Sequence, residues 1–308
     1  MISLAPIIVF CYNRPWHVEQ TLEALSRNEL ADQSTLYIYC DGPKYGASEE
    51  MRRKIADVRQ VVRKRQWCKE VHVIEHKHNM GLMNNIVDAV TEIVNQYGRV
   101  ITMEDDIITS RGYLRFMNEA LELYKNDEQV MHISGYMWPH KRKLPNTFFY
   151  EVPYPGGGWA TWKRAWIHYT DDTKLLYDYW CTRWDEFNKF GDNYLQMQLE
   201  ANLHGTMKTW FIKWHAVMLK RKALTFYPGE SLTNNIGFDD QATNCFATTQ
   251  FDVVPIDYVD VKHIPIKENK RAAREIYAFY QGRWYNRRRR TQLINKVLAF
   301  FRLPQIKL

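Results

Sequence analysis

The chain reads as a single α/β domain with a mostly parallel central sheet wrapped by helices, and three observations predict this. Over its first 106 residues, short apolar runs of strand length alternate with amphipathic runs of helix length. Each apolar run ends in a polar cluster: Asn13-Arg14, Asp41-Gly42, Lys77-His78-Asn79 and Glu104-Asp105-Asp106. In an open parallel sheet such ends collect along one rim, where these folds place ligands. The composition, 25% charged and 45% hydrophobic, is that of a folded globular chain, and 308 residues suffice for one large domain or two small ones.

The elements follow in order. Leu4–Tyr12 is an apolar strand, broken at Asn13-Arg14-Pro15. Pro15 suits the first turn of a helix, whose inner face is Val18, Leu22 and Leu25. Thr35–Cys40 is a second strand, stopped by the turn signal Asp41-Gly42-Pro43. Glu49–Gln66 is a charged helix with Ile55, Val58 and Val62 inward, and Val71–Glu75 a third strand. Asn79-Met80-Gly81-Leu82 opens a long helix that turns Ile86, Val87, Val90, Ile93 and Val94 to the core. Arg99–Met103 is the fourth strand and runs into the acidic triplet. The second half is less regular. Gln129–Ser134 is a further strand. Tyr154–Trp166 is a glycine-rich turn opening an aromatic helix. Trp184–His204 and Thr209–Arg221 are helices, and Tyr227–Asp240 is a polar loop placed over the crevice.

Val100–Asp106, V-I-T-M-E-D-D, carries the chemistry. Three consecutive carboxylates fixed at the end of a buried strand repel one another and call for a cation, and their hard oxygens suit Mg²⁺ or Mn²⁺. The alternative is a charged turn leading through Ile107-Ile108-Thr109-Ser110 into a capped helix. Gly156-Gly157-Gly158 before Trp159 lets backbone approach a ligand, or serves a tight turn before a packing helix. His72, His76 and His78 share strand parity, but no cysteine joins them, which disfavours zinc. His263 in V-K-H-I-P could complete a metal shell, but a lone histidine is more often structural.

Several classes lose ground. There is no G-x-G-x-x-G after the first strand and no G-x-x-x-x-G-K-[ST], which disfavours dinucleotide oxidoreductases and P-loop NTPases. Five cysteines without C-x-x-C spacing argue for a reduced, cytosolic setting. Met1–Tyr12 lacks the features of a signal peptide, and no apolar run is long enough to span a bilayer. The formal net charge of +7 belongs to the end of the chain: residues 271–308 hold ten Lys/Arg and one acid, Glu275. The near-neutral body does not suit a nucleic-acid partner. Arg287–Arg290 precede Leu293, Ile294, Val297, Leu298 and Phe301 on one helical face. Such a basic amphipathic segment is the form that lies on anionic membrane surfaces.

Taken in order, Ile7–Arg14, Asn79–Leu82, Glu104–Asp106, Gly157–Trp166 and Tyr227–Asp239 resemble glycosyltransferases of the GT-A type. The nearest likeness is to N-acetylglucosaminyltransferase I and to bacterial sugar transferases of cell-surface polysaccharide synthesis. The resemblance covers about residues 5–245 and leaves the tail outside. It implies a GT-A (nucleotide-diphospho-sugar transferase, Rossmann-like) domain over residues 1–270. Within it lie a nucleotide-binding half, 1–106, and an acceptor half, 107–270, followed by the helical tail 271–308. It also implies a nucleotide-sugar donor, UDP-linked, with Mn²⁺ or Mg²⁺. Asp106 would be the metal ligand, Asp105 would approach the ribose, Arg14 the diphosphate or base, and Asp41 the uracil; Asn79, Gly157 and Trp159 would contribute to donor binding. An inverting member needs a carboxylate base. Trp184-Asp185-Glu186 resembles the relatives' Trp-Asp-Asp segment, which points to Asp185. Other relatives place a comparable Trp segment where this chain has Thr209-Trp210-Phe211, with no acid, and Asp192, Glu200 and Asp239 stay open.

The expectation is therefore a metal-dependent, inverting glycosyltransferase. It would move a hexosyl or N-acetylhexosaminyl group to a hydroxyl of a glycan or lipid-linked glycan. It would lie peripherally on the inner face of the cell membrane through residues 284–308. The alternatives are a sugar nucleotidyltransferase and a non-catalytic nucleotide-sugar or glycan-binding scaffold. The first usually has a glycine-rich first loop, where this chain has Cys11-Tyr12-Asn13-Arg14-Pro15.

Overall fold

The computed structural model describes residues 4–239 and 247–282. β1 (Ile7–Cys11), α1 (Pro15–Ser26), β2 (Thr35–Cys40), α2 (Glu49–Val62), β3 (Glu70–Glu75), α3 (Leu82–Tyr97) and β4 (Arg99–Glu104) alternate as expected. The apolar spacing of each helix explains its docking. Val18 and Leu22 of α1 and Ile55, Val58 and Val62 of α2 are buried, as are Ile86, Val90, Ile93 and Val94 of α3. Ser48 caps α2 by accepting from the Met51 amide. Gly98, left-handed at φ +77°, ends α3 and turns the chain into β4.

After the acids come β5 (Ile107–Thr109), α4 (Tyr113–Leu123), β6 (Val130–Ser134), β7 (Thr147–Tyr150) and β8 (Trp159–Trp162). Four short to medium helices follow β8 and the single turn α5 (Lys163–Trp166): α6 (Thr173–Trp180), α7 (Trp184–Phe187), α8 (Tyr194–Leu203) and α9 (Trp210–Lys220). β9 (Leu224–Pro228) and β10 (Thr233–Asn235) complete the named elements.

One eight-stranded sheet takes the order β3-β2-β1-β4-β8-β6-β9-β7, so both halves of the chain share it. β3, β2, β1 and β4 are parallel. β8 lies antiparallel between β4 and β6, β6 and β9 are parallel, and β7 closes the edge antiparallel to β9. The fold class is thus the expected α/β, parallel throughout the first half and mixed in the second. One face of the sheet packs against α1, α2 and α4. The other packs against α3, α6, α8, α9 and the helix over 270–282 through an aromatic core that includes Trp159, Trp166, Trp180, Trp210 and Trp214.

Four local expectations change. The glycine-rich turn opens strand β8 before any helix, because Trp159-Ala160-Thr161-Trp162 fills the gap between β4 and β6. Ile107–Thr109 and Thr233–Asn235, read as a helix lead-in and a loop, pair as a two-stranded antiparallel ribbon. The helix expected over Trp184–His204 is broken into α7 and α8 at Gly191. Gly191 adopts φ +75°, and a Cβ there would lie 2.4 Å from Gln281 Nε2 and Tyr277 Oη. The segment after residue 270 begins as a helix that buries Ala272, Ile276 and Tyr280 in the body. Segment 284–308, for which membrane contact is expected, and Cys245 lie outside the described residues. Among the described residues, no helix is long and apolar enough to cross a membrane.

Candidate functional site

The candidate site is built at the carboxyl ends of β1, β2 and β4. Arg14 precedes Pro15, which disfavours the helical conformation for the residue before it. Arg14 accordingly stays outside the helical region, at φ −118° and ψ 77°, as the N-cap of α1, with its side chain at the strand tip. β1 and β4 are neighbours in register, Phe10 opposite Glu104. This brings the Arg14 guanidinium across the acidic triplet. Its Nη2 donates to Asp105 Oδ1 and, at 2.8 Å, to Asp106 Oδ2. Thr21, two turns into α1, donates its hydroxyl to the Asp105 carbonyl at 2.8 Å and ties helix to strand end.

One guanidinium faces three acids, and the electrostatics reflect the shortfall. Burial pushes the Glu104 carboxyl up to about 8, with Asp106 and Asp105 adding to the rise. Burial also pushes Asp105 up to about 6 against the pull of Arg14. For Arg14, burial opposes the charge, but the two carboxylates outweigh it and hold the group protonated.

The ribbon β5–β10 brings the C-terminal half onto the same spot. Asn235 places its amide Nδ2 3.4 Å from Asp106 Oδ1 and donates at 3.0 Å to the Gly156 carbonyl. Its Oδ1 accepts from the Gly237 amide at 2.7 Å, and the Ile236 amide bonds the Asp106 carbonyl at 2.9 Å. Gly237 lies so close that an added Cβ would fall 2.0 Å from Asp106 Oδ2 and 2.9 Å from Arg14 Nη1. Beyond it, Asp239 pairs with the buried His17 of α1 at 3.0 Å.

Asp41 and Asn79 are on the same rim but bonded to each other. Asp41 Oδ1 accepts from the amides of Met80 (2.7 Å) and Gly42 (2.8 Å), and Oδ2 from Asn79 Nδ2 (2.9 Å) and the Gly81 amide (3.1 Å). A carboxylate offers about four acceptor positions, so here Asp41 is occupied in shaping the loop that starts α3. Gly157 accepts from Thr233 Oγ1 at 2.7 Å and packs so tightly that a Cβ would meet Tyr136 Cβ at 2.1 Å. Trp159 is buried, its ring stacked on His132 and Trp210. It belongs to the aromatic core, and the turn that precedes it reaches Asn235 through the Gly156 carbonyl. Asp185 is exposed on α7, whose Phe187 packs inward. Among the described residues, no hydrogen bond or ion pair joins Asp185 to the acids.

The structure therefore brings together Arg14, Asp105 and Asp106, sets Asp41 and Asn79 alongside, and links the glycine turn to them through Asn235. It adds His17, Thr21, Asn235 and Gly237, which sequence reasoning did not single out. Asn235 and Gly237 sit in N-N-I-G-F-D, already noted as a segment over the crevice. His17 and Thr21 carry no local signal, since a polar residue on a helix face shows its partner only after folding.

The donor atoms suit a hard divalent cation. Asp105 and Asp106 offer carboxylate oxygens, and Asp106 lies in a cradle that a single Cβ at residue 237 would fill. Among the described residues, no group of three His, Cys, Asp or Glu side chains is set to hold an ion. Any cation here would need oxygens from its ligand as well, the usual arrangement for Mg²⁺ with phosphates.

No family model and no curated protein sequence matches the chain. Among solved structures it is similar to residues 1–349 of S. aureus TarS, at 10% identity and a TM-score of 0.44, over 76% of this chain and 60% of that one. It is similar to mouse xyloside xylosyltransferase 1 at 12% identity and a TM-score of 0.37, over 71% of this chain and 82% of that one. It is also similar to a UDP-glucose pyrophosphorylase complexed with UDP-glucose, at 10% identity and a TM-score of 0.32, over 54% of this chain and 79% of that one. The chain thus spans about three-fifths of the TarS chain. All three likenesses fall below a TM-score of 0.5 at 10–12% identity, and the strand-end constellation is read from this chain's own geometry alone.

Proposed function

We propose that the chain is a glycosyltransferase that takes a sugar from a nucleoside-diphosphate donor, UDP-linked, and passes it to a hydroxyl of a glycan or glycolipid. The observation that carries this reading is the Arg14–Asp105–Asp106 cluster at the lip of the parallel sheet. A buried cluster with more negative than positive charge suits a cation, and a cation with an arginine suits a diphosphate. Asp106 is the proposed ligand of Mn²⁺ or Mg²⁺, with Asp105 beside it toward the ribose. The ion would supply Lewis-acid stabilisation of the negative charge that develops as the nucleoside diphosphate leaves. Arg14 adds a fixed positive charge to the same side. Asp41 and Asn79 hold the loop along which the base would lie.

Transfer with inversion needs a carboxylate at the acceptor hydroxyl. Asp185, exposed on α7, is the proposed base. Asp185→Asn is expected to lower turnover by about 10²–10⁴-fold with donor binding unchanged. Unchanged turnover would remove it from that role and turn attention to Asp239 beside His17. Membrane contact through residues 284–308 belongs to the same proposal, on the strength of the basic and apolar pattern there. Equal liposome co-sedimentation of the full chain and a chain ending at residue 283 would refute that part.

The direct test is thermal-shift screening against UDP-, GDP- and dTDP-sugars with and without Mn²⁺, followed by slow hydrolysis of any donor that binds. A ligand of the native state raises the melting point. Absence of any Mn²⁺-dependent shift with nucleotide sugars would overturn the reading.

A further inference from the structure

Arg14 occupies the ground that a cation on Asp106 requires. Its Nη2 lies 2.8 Å from Asp106 Oδ2 while also bonding Asp105. A divalent ion sits about 2.0–2.2 Å from a carboxylate oxygen it binds. On Asp106 Oδ2 it would therefore lie within about 5 Å of Nη2, given that 2.8 Å bond. Two positive groups that close, in a partly buried site, repel strongly. They also compete for the same oxygen. Gly237 packs against the same pair, since a Cβ there would lie 2.0 Å from Asp106 Oδ2 and 2.9 Å from Arg14 Nη1. Because no third acidic or histidine ligand stands ready among the described residues, a cation arriving alone gains little to set against the loss of Arg14.

We propose that Arg14 is an exchange residue. It neutralises Asp105 and Asp106 until a nucleoside diphosphate and a divalent cation arrive together, and then passes from Asp106 to the diphosphate. This rests on the nucleotide-sugar reading above. Pro15 holds the Arg14 backbone in place, so the move is one of side-chain rotation at the strand tip. The consequence is reciprocal coupling: diphosphate strengthens cation binding, and cation strengthens diphosphate binding, beyond what direct ligation supplies.

Binding of Mn²⁺ to the full chain, followed by the electron paramagnetic resonance signal of the free ion, tests this with and without UDP. Without UDP, Arg14→Ala is expected to bind Mn²⁺ about ten-fold or more tightly than the unsubstituted chain. Its melting temperature should also rise more on adding Mn²⁺, because the ion restores the lost charge. Arg14→Lys, which keeps a cation, should remain weak. UDP should strengthen Mn²⁺ binding more in the unsubstituted chain than in Arg14→Ala. If Arg14→Ala does not fold, Arg14→Gln removes the charge while keeping most of the side chain. Mn²⁺ bound equally or more weakly by the uncharged variant would overturn the exchange. UDP bound by neither protein would overturn the nucleotide-sugar reading and the diphosphate half of the exchange, while the UDP-free arm still decides the competition at Asp106.

Discussion

Asp41 and Asp106 lie just beyond the carboxyl ends of β2 and β4, the two strands that flank β1, yet they are answered differently. Both are buried. Asp41 is met by neutral donors only: three backbone amides and the Asn79 side chain. Those dipoles are fixed by the turn into α3, so its charge is settled by the backbone. Asp106 is met by one guanidinium that it shares with Asp105 and, at 3.4 Å, by the Asn235 amide, beside a Glu104 pushed up to about 8. A carboxylate satisfied by dipoles fastens a loop. A carboxylate that shares a single side-chain cation with its neighbour keeps capacity for another.

The sharpest break in this comparison is Asp106→Asn against Asp41→Asn. Asp106→Asn should lower donor turnover by about 10²–10³-fold, the scale set by removing one electrostatic stabiliser, while leaving the fold intact. This is read as kcat/KM for sugar release alongside a denaturation curve. Equal loss of activity in both variants would erase the distinction. Asp41→Ala should act on stability instead. It leaves the amides of Gly42, Met80 and Gly81 without their acceptor and is expected to cost about 1–3 kcal/mol, seen as a lower urea midpoint with an unchanged slope.

Gly237→Ala comes next. Its Cβ would press on Asp106 Oδ2 from 2.0 Å, and relief of that overlap should cost about 1–3 kcal/mol, with weakened donor binding in the thermal-shift assay. An unchanged melting point would show that the loop gives way freely. The smallest effect is on pH dependence. Glu104 near 8 and Asp105 near 6 hold protons in the folded chain that the unfolded chain releases near pH 4. The native state then binds more protons than the unfolded state, so stability falls as pH rises from about 4 to about 8 and levels off above. Glu104→Gln should flatten the upper part of that slope, measured as melting temperature between pH 6 and 8 in metal-free buffer. A slope unchanged by the substitution would place its origin elsewhere.

Much of the first half was legible before folding. The strand Thr35–Cys40 and the start of α2 at Glu49 fall where apolar spacing and turn residues put them. There the periodicity is strong, and parallel strands buried on both faces read as plain apolar runs. The second half was harder for the opposite reason. Trp159–Trp162 is an aromatic segment that suits strand or helix, and its place between β4 and β6 chose strand. Thr233–Asn235 looks like a polar loop because its pairing partner, Ile107–Thr109, lies more than a hundred residues away. The candidate site divides in the same way. The acids and Arg14 stand out as residues at strand ends, whereas Asn235 and Gly237 matter through contacts that no local pattern encodes.

The amino-acid order alone determined the α/β class, the rim where Arg14, Asp41, Asn79 and the acids meet, and the excess of negative charge there, because hydrophobic period and residue type are local properties. Only the folded chain decided that Asp41 bonds its own loop, that Trp159 is buried under Trp210, and that Arg14 already bridges Asp105 and Asp106. Each of those outcomes depends on which partner reaches a group first across the sheet, and that competition is settled by three-dimensional proximity rather than by position along the chain.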